Sequence, residues 1–150
     1  MALSLLLHVL SVVVWVGGMF FAYMALRPLA ASVLEPPQRL TLWAGVFDKF
    51  FPWVWASVVL ILLSGLYMLM LLGGLAAPHY ALAMFVLGVV MMLIFGHVFF
   101  APYKKLKRTV AEQDWKAGGA ALGLIRRLIG INLSIGLVTI AVALLGRALG

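Results

Sequence analysis

Three histidines and eight methionines are the only side chains here able to offer a metal neutral nitrogen or sulfur, because the chain contains no cysteine. His8 lies about six residues into the first apolar run. Counting depth at 1.5 Å per residue puts His79, Met68, Met70 and Met84 in the same outer third of the bundle. Imidazole and thioether ligands without thiolate suit copper, above all Cu(I). Methionine also packs irregular gaps, and His8 could instead be a neutral ring bonded to a neighbouring carbonyl, so both readings stand.

A second set lies deeper. His97 falls at a depth close to that of Asn132, Ser57 and Met19, with Arg126, Arg127 and Arg108 just beyond. A cofactor with carboxylates, such as haem b, would find cationic partners there, while the same cluster could simply hold anionic lipid. His8 and His97 differ in depth by about 12 to 15 Å, which disfavours one haem bridging both. His79 and His97 share a face of one helix but lie about 27 Å apart. Ala83, Val86, Val90 and Leu93 between them pass no proton. On the first helix, Val12, Trp15 and Met19 share a stripe with His8 that should face the bundle.

These residues sit in a chain whose solvent must be lipid. Hydrophobic residues make up 66% and charged residues 10%, too little polarity to cover a water-facing surface. The expected fold is an all-α membrane protein, a four-transmembrane-helix antiparallel bundle forming one domain over residues 1–150. Its spans are about 2–26, 52–75, 79–101 and 125–148, each long enough for roughly 30 Å of hydrocarbon. The first run is expected to be a retained helix, since no Lys or Arg precedes it. Pro36 and Pro37 start a short interfacial helix in loop 1-2, with Leu40, Trp43, Phe47 and Phe50 on one face and Arg39, Asp48 and Lys49 turned to water. The short uncharged loop from Gly73 to Pro78 predicts a tight hairpin of helices 2 and 3. Asp114 is the expected N-cap of a helix starting at Trp115 and running into the fourth span.

Charge sets the orientation. Every Lys and Arg except Arg147 lies in or beside loops 1-2 and 3-4, which places those loops inside and both termini on the outer, periplasmic side of a bacterial inner membrane. Trp43, Trp53, Trp55 and Tyr103 fall where an aromatic belt is expected. The net charge of +7 is thereby accounted for without nucleic acid. The spans hold no acidic residue and no nucleophile paired with a base, so hydrolase chemistry is not expected.

The stretch L-H-V-L-S-V-V-V-W-V-G-G-M-F-F from Leu7 to Phe21, followed by Arg27-Pro28, resembles the start of the CopD-like copper resistance membrane domain. Phe95-Gly96-His97-Val98-Phe99-Phe100-Ala101-Pro102 and the Gly146-Arg147 ending continue the resemblance. It implies an inner-membrane protein of copper uptake or resistance, with His8, His79 and His97 as suspected ligands and no catalytic residue. The His with W-x-G-G is also similar to the HemJ type of protoporphyrinogen oxidase, a four-helix haem protein. That family expects a lysine deep in helix 3, and this third span has none. The leading expectation is copper handling through His8, His79, His97, Met19, Met68 and Met84. A b-type haem protein using His8, His97, Asn132 and Arg126 is the alternative, and an accessory subunit of a larger membrane complex a third. Expected partners are the bilayer, a periplasmic copper carrier or larger complex, and a second copy of the chain.

Overall fold

In hydrocarbon every backbone N–H and C=O must be satisfied within its own segment, and for apolar runs of this length the helix achieves that. The computed structural model describes residues 1–150 and is all-helical. Its four long helices are α1 (Ala2–Val33), α2 (Pro36–Leu71), α3 (His79–Ala111) and α4 (Trp115–Leu149), each long and apolar enough to cross a membrane. Their 32 to 36 residues correspond to about 48–54 Å, well over the roughly 30 Å of a hydrocarbon core. The surplus lies at one end, called here the basic end, where the α1–α2 and α3–α4 connections gather the cations. The other end carries both termini and the α2–α3 connection.

Prolines shape the helices at the basic end. α1 and α3 each contain one π-helical turn, Ala22–Leu26 and Phe99–Tyr103. Pro28 follows the first and Pro102 lies inside the second. A proline ring clashes with the carbonyl four residues back and offers no N–H, and widening the turn relieves both conflicts.

The segment expected to form a separate interfacial helix is instead the beginning of α2, which runs unbroken from Pro36 through Pro52 to Leu71. The buried residues Leu40, Trp43, Phe47, Phe51, Val54 and Val58 keep one helical phase across Pro52, so packing holds a single axis. Asp48 and Lys49 are exposed as expected. Arg39 turns inward: its Nε is buried, and its Nη2 donates to the Leu34 carbonyl at 3.0 Å.

Close packing pairs α1 with α2 and α3 with α4. The expected hairpin of α2 and α3 is looser than these two pairs, its helices joined by a short turn in which Gly73 takes φ +105° and Gly74 φ +62°. Rings hold the two helices apart. Phe51 meets Phe95 at 5.2 Å and Tyr103 at 4.8 Å, and Trp55 meets Phe95 at 5.0 Å and Phe99 at 5.3 Å, all edge to face. Small residues let the other pairs approach. A Cβ on Gly18 would overlap the Phe50 ring, and one on Gly136 would lie 3.1 Å from Met91 Cε and 3.2 Å from Val16 Cγ2. Lipid gives apolar side chains no reason to leave it, so this shape complementarity is what binds the bundle. The expected aromatic belt reduces to Trp53, which is exposed, because Trp43 and Tyr103 are buried in the bundle and Trp55 is half-buried there.

At the basic end, α3 finishes in a Schellman turn. Asp114 N–H donates to the Thr109 carbonyl and Gln113 N–H to the Val110 carbonyl, with Gln113 left-handed at φ 57°. Asp114 then caps α4 as the sequence predicts, its Oδ1 accepting from the Ala117 N–H at 3.2 Å.

Candidate functional site

His8 occupies the second turn of α1, half-buried against α2. Its stripe neighbours Ser11, Trp15 and Met19 are buried, while Leu5, Leu6, Val9 and Leu10 face outward. The phase of α1 therefore aims the imidazole into the bundle. Opposite stand Ser64 and Gly65. Ser64 Oγ lies 3.0 Å from His8 Nδ1, and the missing side chain of Gly65 leaves the ring room: a Cβ there would sit 3.4 Å from His8 Cε1.

A serine hydroxyl has one proton, and Ser64 Oγ lies 2.5 Å from the Leu60 carbonyl as well as beside His8. With that proton on Leu60, Nδ1 is the donor to Ser64 and Nε2 keeps its lone pair; with it on His8 the two ring nitrogens exchange roles. The first is the arrangement of a metal-binding histidine, where a hydrogen bond on one nitrogen fixes the ring and prepares the other. Ser64 was not singled out in the sequence. The missed signal was its adjacency to Gly65 on the helix antiparallel to α1.

The other expected ligands are dispersed. Met68 is half-buried one turn beyond Ser64 on the same face of α2, and Met84 is half-buried on α3. His79 is exposed at the start of α3, at the same end of the bundle as His8. Met19, 4% exposed, is about 16 Å along α1 from His8. It lines a cavity of about 20 Å³ with Trp15, Phe51, Val54, Phe95 and Asn132. His97 is exposed on the outside of α3, whereas Asn132 is buried and donates from Nδ2 to the Met91 carbonyl at 3.2 Å. Asn132 thus links α4 to the α3 backbone and not to the His97 ring, although the two residues lie at similar depth. No group of three or more His, Asp and Glu side chains converges. A haem held between His8 and His97 does not fit, because one ring lies between α1 and α2 while the other points away from the bundle.

Arg126 is exposed on α4, where it borders a cavity of about 440 Å³ at the basic end. On the α2–α3 side of that end, Asp48 Oδ1 accepts from Tyr103 Oη at 2.8 Å and from Lys107 Nζ at 2.9 Å. Both groups lie beyond the apolar spans. The two donors, Lys107 first, hold the Asp48 carboxyl below the usual carboxylate range. Burial, with the Asp48 hydrogen bond, pushes the Tyr103 hydroxyl upward.

The family model described as copper resistance protein D matches residues 44–145, the greater part of the chain. The chain belongs to the copper resistance protein D family. Comparison with curated proteins and with solved structures finds no match. The matched region runs from within α2 to near the end of α4, so it contains Ser64, His79, His97 and Asn132. His8 lies on α1, before the matched residues, and its candidacy rests on its own geometry. Four membrane-length helices together with the family make this a multi-pass membrane protein fitted to copper resistance.

Proposed function

We propose that the protein handles monovalent copper within the membrane, taking the ion at His8 Nε2 with the Met68 thioether as its sulfur partner. Copper is the cargo in this reading. The observation that carries it is the His8–Ser64 contact at 3.0 Å inside a low-dielectric bundle; with Nδ1 donating to Ser64, Nε2 is left as the ligand nitrogen. Neutral imidazole and thioether suit Cu(I), since they add no charge to the bilayer beyond that of the ion. Met84 is the further sulfur candidate, and His79, exposed at the same end, is a first contact for ions arriving from water or from a copper carrier.

Orientation follows from charge. The basic end lies on the cytoplasmic side of a bacterial inner membrane, leaving both termini and His8 toward the periplasm. Uptake and resistance are both served by such a site.

Purified protein in mild detergent, titrated with Cu(I) against a chromophoric chelator, tests the reading. His8→Ala should weaken binding at least tenfold. Ser64→Ala, which keeps the ligand and removes its orienting partner, should weaken it by about tenfold. Equal affinity in wild type and His8→Ala would overturn the proposal.

A further inference from the structure

A cavity lined by residues far from His8 is not used by the copper reading. It opens at the basic end between α1, α2 and α4, and has a volume of about 440 Å³. Four cationic residues border it: Arg27 from α1, Arg39 from α2, and Lys116 and Arg126 from α4. No Asp or Glu is among its lining residues. The chain's single ion pair joins Lys107 to Asp48 elsewhere, so none of the four cations is neutralised by a carboxylate. Of the nearest acids, Glu35 is exposed and Asp114 is committed to capping α4.

Two of these arginines are held in place by the protein. The Arg27 guanidinium lies 4.4 Å from the Tyr23 ring centroid, and its Nε donates to the Tyr23 carbonyl at 3.1 Å. Arg39 is anchored through Nη2 on Leu34, while its Nε is buried with no partner. A buried N–H of a charged group left unpaired costs free energy, and an oxyanion in the cavity would remove that cost.

The remaining wall is apolar and aromatic, with Trp43, Phe47, Leu122 and Ile129 on the side facing the spans. Gly119 and Gly123 leave open space there, since a Cβ on either would meet nothing within 4 Å. A small hydrophilic anion has no use for such a wall. A phosphodiester attached to acyl chains does, because its phosphate meets the guanidinium groups while its chains continue along apolar surface into the membrane.

We propose that this cavity is a binding site for the phosphate headgroup of an anionic phospholipid, seated between α1, α2 and α4 at the basic end. The shared chemistry is a phosphate oxyanion, and the lipid is its source. Occupancy ties together the ends of three helices whose charged side chains at the cavity are all cationic.

The test is thermal unfolding of the full chain in mild detergent, with phosphatidylglycerol, phosphatidylcholine or inorganic phosphate added separately. Phosphatidylglycerol should raise the melting temperature at concentrations where phosphatidylcholine does not. Arg39→Gln and Arg126→Gln should each weaken the apparent affinity by about tenfold, the size of one charge-assisted hydrogen bond. Gly119→Leu, which fills the space without a backbone clash and with better helix propensity, should abolish the effect in a chain that still folds. Equal response to both lipids, or full response in Gly119→Leu, overturns the site. Matching protection by millimolar inorganic phosphate overturns the lipid as its occupant. His8→Ala should leave every one of these readouts unchanged, which separates this site from the copper proposal.

Discussion

The Tyr103 hydroxyl donates to Asp48 Oδ1 at 2.8 Å across the gap between α3 and α2. Lys107 Nζ joins the same oxygen at 2.9 Å, so one carboxylate ties together two helices that aromatic rings otherwise keep apart. Because Asp48 ionises more readily in the folded chain, the stability it contributes is present above the ordinary carboxylate range and is lost as pH falls through its lowered value. Tyr103 has the opposite sign: its hydroxyl is held protonated, and that contribution is lost as pH rises through its raised value. Tyr103→Phe should cost about 1 kcal/mol at neutral pH and shift the acid limb of the stability profile toward higher pH. Thermal unfolding in detergent from pH 3 to 7 checks both.

Gly18 faces the Phe50 ring at the α1–α2 contact. Gly18→Val should destabilise the bundle by about 1–3 kcal/mol through overpacking. Phe50→Leu in the same chain should recover part of the loss, a coupling that a double-mutant cycle measures.

Asn132 spends one hydrogen bond on the Met91 carbonyl, while its Oδ1 is buried without a partner. Interhelical bonds in membranes average about 0.6 kcal/mol, and an unsatisfied carbonyl offsets that gain. Asn132→Leu should therefore lie within about 1 kcal/mol of wild type. Asn132→Ala, which leaves a void, should cost about 2 kcal/mol. Chemical denaturation in mixed micelles ranks the two.

Gln113 holds the left-handed position of the Schellman turn without being glycine. Gln113→Gly should stabilise the chain by about 0.5–1 kcal/mol by relieving the Cβ conflict of that conformation. A higher melting temperature with unchanged Cu(I) affinity is the expected result.

The four spans were legible because lipid leaves a long apolar run only one structure, and Asp114 was legible because a cap is a local signal. Helix pairing was not. Loop length between α2 and α3 suggested their adjacency, but how closely neighbours approach depends on the volumes of Phe51, Trp55, Phe95 and Phe99, set against the small Gly18. Arg39 was read as turned to water on the polar face of a separate interfacial helix, whereas it stands near the start of a continuous α2 with its guanidinium on the Leu34 carbonyl. His8 could be singled out from its stripe on α1. Its partner could not, because Ser64 lies 56 residues away on another helix.

The two widened turns have a consequence for where the cations point. A π turn adds one residue to a helix and so rotates everything after it by about 100° relative to an unbroken α-helix. In α1 that extra residue is inserted just before Arg27, and the guanidinium above Tyr23 owes its heading to it. Closing that turn as regular α-helix with every residue kept would swing Arg27 by about 100° and empty one corner of the cavity of charge, whereas deleting one alanine from Ala22–Leu26 would remove the extra residue and leave both Arg27 and His8 with their present headings.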